Sequence, residues 1–348
     1  VTSPAPAAQH AAPEKKKSHL KTALKICVSL ALMVYFLQHA GLDQTLAKLS
    51  SANLWFIPVG VGLYLLSQFV SAYRWQFLAK ALQFRLALRE FYDYYLMGMF
   101  FSLFLPGSIG GDVVRMFYLA KRCNRKKRES LLTLLAERGV GLVAVLLMTC
   151  VVCLTPDAAP LPWAVRLPVI AMSAMAVLGF ITLRVVPIYK LAQRFPALDV
   201  LVQAEVYWRD VPLLARSVGI SLVIQAVMIS VQYGIAQALG MDVPLLYLIA
   251  VYGIVGLISV IPISFNGIGV REGAYMNLFK FAGVAPETGL AFALYWFLIS
   301  ALTSLVGGII LVKGHYKTPD MDEEPGESAL QVPPDRDPLD RSVVGSAP

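Results

Sequence analysis

Charge is scarce in this chain. Only 15% of its 348 residues are Asp, Glu, Lys or Arg, against about 25% in ordinary soluble domains. Histidine is scarcer still: His10, His19, His39 and His315 are scattered, and no metal site can be assembled from them. The four cysteines, Cys27, Cys123, Cys150 and Cys153, do not form a second ligand pair. Cys150 and Cys153 have redox or metal spacing, but they share one apolar stretch, where small buried thiols are the plain reading. There is no ATP-binding motif. The glycines of Asn266–Glu272 lack the strand and βαβ unit that a nucleotide loop needs. No cofactor is implied, and nothing calls for nucleic acid.

What the chain has is apolar length. It is 57% hydrophobic, and the runs Leu20–His39, Leu54–Tyr73, Leu131–Leu154, Ala164–Val186, Ser217–Leu239 and Leu290–Val312 each meet the ~20-residue requirement for crossing a bilayer. The expected fold class is an all-α polytopic membrane protein. The first run follows Lys15, Lys16 and Lys17, but it is too long for a signal peptide and has no clear cleavage site, so a retained helix is expected. Residues 1–316 carry 27 basic and 14 acidic side chains, whereas residues 317–348 carry 3 and 8. The acidic, proline-rich end (316–348) and the Pro/Ala-rich start (1–18) cannot bury a core, and both read as disordered cytoplasmic tails around a membrane domain at 19–315.

Basic loops mark the cytoplasmic side. The N-terminus, with five lysines from Lys15 to Lys25, is therefore inside, and the link at 40–53 outside. The next link, with Arg74, Lys80, Arg85 and Arg89, is inside. The cluster Lys121, Arg122, Arg125, Lys126, Lys127 and Arg128 is inside too, as a membrane-surface face that attracts anionic lipid. The apolar segment Phe91–Leu105 between two inside clusters cannot be a single crossing. A re-entrant hairpin satisfies it, turning at Pro106–Gly111. The same walk, through inside residues Lys190, Arg194, Arg209 and Arg216, leaves a second hairpin between Leu245 and Thr288. It opens to the opposite face, and both termini are cytoplasmic. The result is an inverted repeat with halves at about 19–155 and 163–315, each of three transmembrane helices plus one re-entrant helical hairpin. Eight full transmembrane helices are the alternative.

Each hairpin carries the same break. Pro106-Gly-Ser-Ile-Gly-Gly-Asp-Val-Val-Arg115 and Pro262-Ile-Ser-Phe-Asn-Gly-Ile-Gly-Val-Arg271 both read Pro-x-Ser, glycines, then an arginine nine residues after the proline. Irregular backbone at bilayer depth persists only where protein or a water-filled cavity shields it, and an arginine there marks a functional site by default. Gly107, Gly110, Gly111, Gly267 and Gly269 let the backbone turn and approach a ligand. The helices that restart after Pro106 and Pro262 present free N–H groups to an anion. Ser108 and Ser264 can cap those ends or donate to a phosphate, and Asn266 lies in the second turn. Arg115 and Arg271 can each grip a phosphate through two parallel hydrogen bonds. Asp112 can hold Arg115 when the site is empty, and Glu137, Arg138 and Glu272 are further charges available for pairing. The bland reading makes the glycines packing sites and Arg115 a snorkelling member of the cytoplasmic cluster.

Three segments carry a resemblance: Leu105–Arg115, Glu137-Arg-Gly-Val-Gly-Leu142 and Ile261–Glu272. Together they resemble the lysylphosphatidylglycerol synthase transmembrane-region family, also called flippase-like or UPF0104 proteins, over roughly residues 20–313. The resemblance implies a bacterial or archaeal cytoplasmic membrane and a role like the lipid-flipping half of the multiple peptide resistance factor. Some such relatives accompany glycosyltransferases that use polyprenyl phosphates. The acidic tail stands where the synthases carry a soluble aminoacyltransferase domain, so lysyl transfer is not expected. Tyr295-Trp-Phe-Leu stands where relatives often have a basic residue.

The function expected is non-enzymatic translocation of a phospholipid or polyprenyl-phosphate-linked lipid between the two hairpins. Membrane lipids, anionic ones above all, are the expected partners, with a separate lipid-modifying or glycosyltransferase enzyme as a further one. A small-anion transporter, a lipid-phosphate enzyme and a membrane partner of a separate synthase are the alternatives.

Overall fold

The computed structural model describes residues 14–104, 110–124, 127–185, 199–260 and 267–313. The first parts of both breaks (Pro106, Gly107 and Ser108; Pro262, Ser264 and Asn266), the two tails, and Arg125, Lys126, Lys190 and Arg194 lie outside the described residues.

Among the described residues there are twelve α-helices and no strand. They are α1 (Glu14–Ala40), α2 (Leu42–Ser50), α3 (Phe56–Ala81), α4 (Leu88–Phe104), α5 (Gly110–Cys123), α6 (Lys127–Cys153), α7 (Trp163–Val185), α8 (Asp199–Arg209), α9 (Val211–Ala238), α10 (Leu245–Val260), α11 (Val270–Lys280) and α12 (Pro286–Val312). Five of them, α3, α6, α7, α9 and α12, are long and apolar enough to cross a membrane, and α1 carries the remaining apolar run. The chain is a polytopic membrane protein. Local chemistry sets several helix starts. Asp210 caps α9 by accepting the Leu213 N–H at 2.9 Å, and Pro212 and Pro286 occupy first-turn positions, where a missing N–H costs nothing.

The segments around the breaks are shorter. α4 and α5 have 17 and 14 residues, about 25 and 21 Å at the α-helical rise. α10 and α11 have 16 and 11 residues, about 24 and 17 Å. All fall below the ~30 Å of a hydrocarbon core.

Each pair is a hairpin closed at its base. Arg122 Nε donates to Glu90 Oε1 at 2.8 Å across α4 and α5, and Tyr247 donates to the Leu278 carbonyl at 2.6 Å across α10 and α11. The two bases lie at opposite ends of the bundle. The Asn53 N–H reaches the Ala238 carbonyl (3.0 Å) and the Tyr295 hydroxyl reaches the Asn53 carbonyl (2.8 Å). Those bonds gather the start of α3, the end of α9 and the start of α12 at one end. The second hairpin follows α9 there, whereas the first follows the far end of α3.

The two short-helix pairs interlock with the long helices, α4 lying against α12 and α10 against α6, and α3 lies against α9. A core forms around each hairpin, one through Trp75, Phe91, Tyr94 and Leu119, the other through Tyr247, Tyr275, Phe279 and Phe292. α7 instead exposes Val177, Leu178, Ile181 and Val185, a face that needs lipid.

Two features differ from the sequence expectation. The link at 40–53 contains a helix, α2, with Thr45 buried and Leu42 and Leu46 exposed. Trp55 and Trp163, at the same end of the bundle, are exposed as well, as rings at a membrane–water boundary are. The other difference is Arg74, expected in a cytoplasmic link. α3 continues to Ala81 and buries it.

Candidate functional site

The first half of the site begins at Gly111. A Cβ there would collide with the Gly98 carbonyl and the Ser102 hydroxyl, so only glycine lets α5 lie this close to α4. That contact carries Asp112 and Arg115, three residues apart on one helix face, against α6 and α3.

Arg115 is buried, not snorkelling. Its Nη1 lies 3.3 Å from Asp112 Oδ1 and its Nη2 lies 3.4 Å from Glu137 Oε2. The guanidinium carbon sits 4.3 Å from the Trp75 ring centre and 3.9 Å from that of Tyr95, within cation–π range of both. Thr133 fixes Trp75 by accepting its Nε1–H at 3.0 Å. Glu137 is shared: its Oε1 accepts from Arg74 Nη2 and from the Tyr95 hydroxyl, while Arg74 Nη1 donates to Ser221 on α9 at 2.6 Å. Asp112 is shared too, because Arg138 pairs with its second oxygen. The chain of charges runs Arg74, Glu137, Arg115, Asp112, Arg138. Three guanidiniums meet two carboxylates along this chain.

The second half begins at Gly269, whose φ of +84° is strained for any L side chain. Its N–H donates to Glu272 Oε2 at 2.7 Å, so the protein's own carboxylate fills part of the α11 N-terminus. The other Glu272 oxygen takes Arg271 Nη2 at 2.8 Å. Glu272 is buried, whereas the Arg271 side chain keeps 15% of its surface open and lies 5.6 Å from the Phe297 ring centre.

Both halves face one cavity of about 300 Å³, lined by Arg115, Arg138 and Arg271 together with Gly111, Asp112 and Ile268. The hairpins enter from opposite ends, yet the residues just after both breaks reach the same space. Tyr64, Gln68, Ser102, Trp296 and Ser300 supply rings and polar groups to its walls.

Of the sequence-selected residues, Gly111, Asp112, Arg115, Arg138 and Arg271 therefore share a cavity, with Glu137 behind it. Gly267, Gly269 and Glu272 shape the start of α11, and Gly110 opens α5. Sequence reasoning missed Arg74 and the α3 and α12 side chains in the wall. A polar stripe was there to be read: Ser67, Ser71 and Arg74 recur at helical spacing, and all three are buried.

The family described as Lysylphosphatidylglycerol synthase TM region matches residues 22–308, and the chain belongs to that family. It is also 21% identical over 336 residues to UPF0104 membrane protein PH1989 of Pyrococcus horikoshii, a match covering 84% of this chain and 97% of that protein.

Proposed function

We propose that this member of the family moves a phosphate-bearing lipid across the membrane, the headgroup passing through the cavity between the hairpins while the tails stay in the bilayer. One observation carries the reading: hairpins that open to opposite ends of the bundle deliver Arg115 and Arg271 to the same cavity. A site between broken helices is where alternating access from two faces can act on one ligand. Three arginines on one cavity wall favour an anion, and a phosphate can take over the arginine hydrogen bonds now accepted by Asp112 and Glu272. Ser108, Ser264 and Asn266, the further polar residues of the two break motifs, would contribute to holding it.

In this reading the halves form an inverted repeat with re-entrant hairpins in a bacterial or archaeal cytoplasmic membrane, both termini cytoplasmic. The acidic end at 316–348 is a docking segment for a separate lipid-modifying or glycosyltransferase enzyme. The protein acts without a covalent step. Asp112, Glu137 and Glu272 are each held by at least one guanidinium, so a substrate would have to displace an arginine to reach any of them as base or nucleophile.

A small soluble anion is the second reading, favoured by the modest cavity volume. Translocation of headgroup-labelled phosphatidylglycerol in vesicles holding the purified protein separates the two. Protein-dependent movement, slowed at least about tenfold in a folded Arg271→Ala variant (a loss near 1.4 kcal/mol), is the expected result. Native-rate movement in that variant overturns the assignment.

A further inference from the structure

We infer that the end of α3 holds an anionic phospholipid of the surrounding bilayer, its phosphate on Lys80 and Arg85 and an acyl chain along α3. This site is separate from the cavity between the hairpins and independent of what that cavity moves.

A hollow of about 540 Å³ opens where α3 ends, lined by Gln76, Lys80, Gln83, Arg85 and Leu86. It shares no residue with the cavity of Arg115 and Arg271. Its wall is a built turn. The Phe84 N–H reaches back to the Ala79 carbonyl at 3.1 Å, and the Gln83 N–H to the Lys80 carbonyl at 3.0 Å. Gln76, buried on α3, donates to the Leu86 carbonyl at 2.9 Å. Gln83 takes a φ of +64°, at the position after a helix where glycine is the usual residue. A side chain stands there at a conformational cost, and it has a use: Gln83 Oε1 accepts from Arg85 Nη2 at 3.3 Å. Strain held in this way gathers at ligand sites.

Depth decides what such a hollow meets. Trp55, exposed just before α3, marks one membrane boundary. From Trp55 to Lys80 is about 38 Å at the helical rise, which puts Lys80 in the headgroup layer of the opposite boundary. Basic pockets between membrane helices at that level take lipid phosphates. Lys80 on α3 and Arg85 in the following link come from separate elements, and a phosphate between them makes charge-assisted bonds to both. Glu90, beside Arg85 at the base of the first hairpin, accepts from Arg122 Nε at 2.8 Å and from the Ala87 N–H at 3.1 Å.

The lipid reading, rather than a soluble anion, comes from the surface below Lys80. Leu66, Phe69 and Tyr73 are 48%, 43% and 45% exposed, and they share a helix face with Lys80. Tyr92 of α4 braces Phe69 edge to face at 5.4 Å between ring centres. From Lys80 down to Leu66 is about 21 Å, the depth of one leaflet with its headgroups. A lipid covers the cations and the apolar stripe together, whereas inorganic phosphate uses only the first.

The test places the full chain in phosphatidylcholine vesicles with a trace of phosphatidylglycerol or phosphatidylcholine carrying a photoactivatable acyl chain. Adducts are mapped by peptide mass spectrometry. The phosphatidylglycerol probe is expected to label Leu66–Tyr73 at least about tenfold more than the phosphatidylcholine probe, from two cations at headgroup level. The preference should vanish in the Lys80→Gln, Arg85→Gln double variant and persist in Arg271→Ala. Equal labelling of the native protein by the two probes overturns the site. Preference lost in Arg271→Ala but kept in the double variant places the bound lipid in the cavity instead. Preference abolished by inorganic phosphate, but not by chloride at the same ionic strength, overturns the lipid in favour of a soluble anion. Preference that emerges only after deletion of residues 317–348 assigns this face to the acidic end of the chain. A failed translocation assay leaves all four of these outcomes readable, so this site and the proposed transport stand or fall separately.

Discussion

Arg115 and Glu137 face each other across 3.4 Å between two helices, with neither side chain more than 6% exposed. A pair so deeply buried is expensive to leave half-made: removing one partner of such a pair costs about 3–5 kcal/mol, because the other stays behind as an uncompensated charge. Glu137 serves two arginines at once. The Glu137→Gln variant should therefore lose at least this much stability, read from thermal unfolding in detergent. In a cycle with Arg74→Met, the double variant should lose less than the sum of the singles. Strict additivity would mean that Arg74 and Glu137 do not act as a unit.

Arg115 and Arg271 should respond differently to lysine. Arg115 spreads a planar guanidinium between two rings and two carboxylates, an arrangement an ammonium cannot reproduce. Arg271 holds one carboxylate and borders open space. Arg115→Lys should lower the unfolding midpoint by several degrees, while Arg271→Lys should stay within about a degree or two of the native protein, since it keeps its charge at a partly open site.

Two glycines make a matched pair for testing the interlock of α4 and α5. A methyl group at Gly111 meets the Gly98 backbone, whereas at Gly62 on α3 it meets nothing within 4 Å. Gly111→Ala should cost about 1–3 kcal/mol through overpacking and should abolish translocation by pushing Asp112 and Arg115 out of place. Gly62→Ala should be neutral or gain up to about 1 kcal/mol from helix propensity. Equal stability of the two variants would mean that α4 and α5 are not in contact there.

The opposed hairpin bases can be read from accessibility. Arg85 and Asp242 are exposed next to the first and second hairpins, respectively. In a variant whose four native cysteines are replaced by alanine, Arg85→Cys and Asp242→Cys should react with a membrane-impermeant thiol reagent from opposite sides. Labelling from the same side would contradict hairpins that enter from two faces.

The apolar runs were legible residue by residue, because crossing a bilayer demands a continuous length of apolar side chains whatever lies beside them. The breaks were legible for the converse reason: glycine, proline and arginine inside such sequence are too costly to stand there without use. Arg74 shows where reading along the chain fails. It follows directly on Tyr73 at the end of an apolar run, where a basic residue ordinarily marks a loop. Only its neighbours on α6 and α9, Glu137 and Ser221, make burial affordable. α2 was missed for a related reason, since nine residues with a few leucines carry too short a pattern to be told from a link.

By itself the sequence determined that the chain is a membrane-embedded helical bundle with two matching interruptions, each followed by an arginine, because both facts follow from transfer energies of single segments. Tertiary structure alone decided that Arg115 and Arg271 open on one cavity, that Glu137 is shared by Arg74 and Arg115, and that Asp112 is shared by Arg115 and Arg138. Those outcomes depend on which helices lie side by side, and pairing between residues as distant as Arg74 and Glu137 leaves no periodicity in the chain from which to read it.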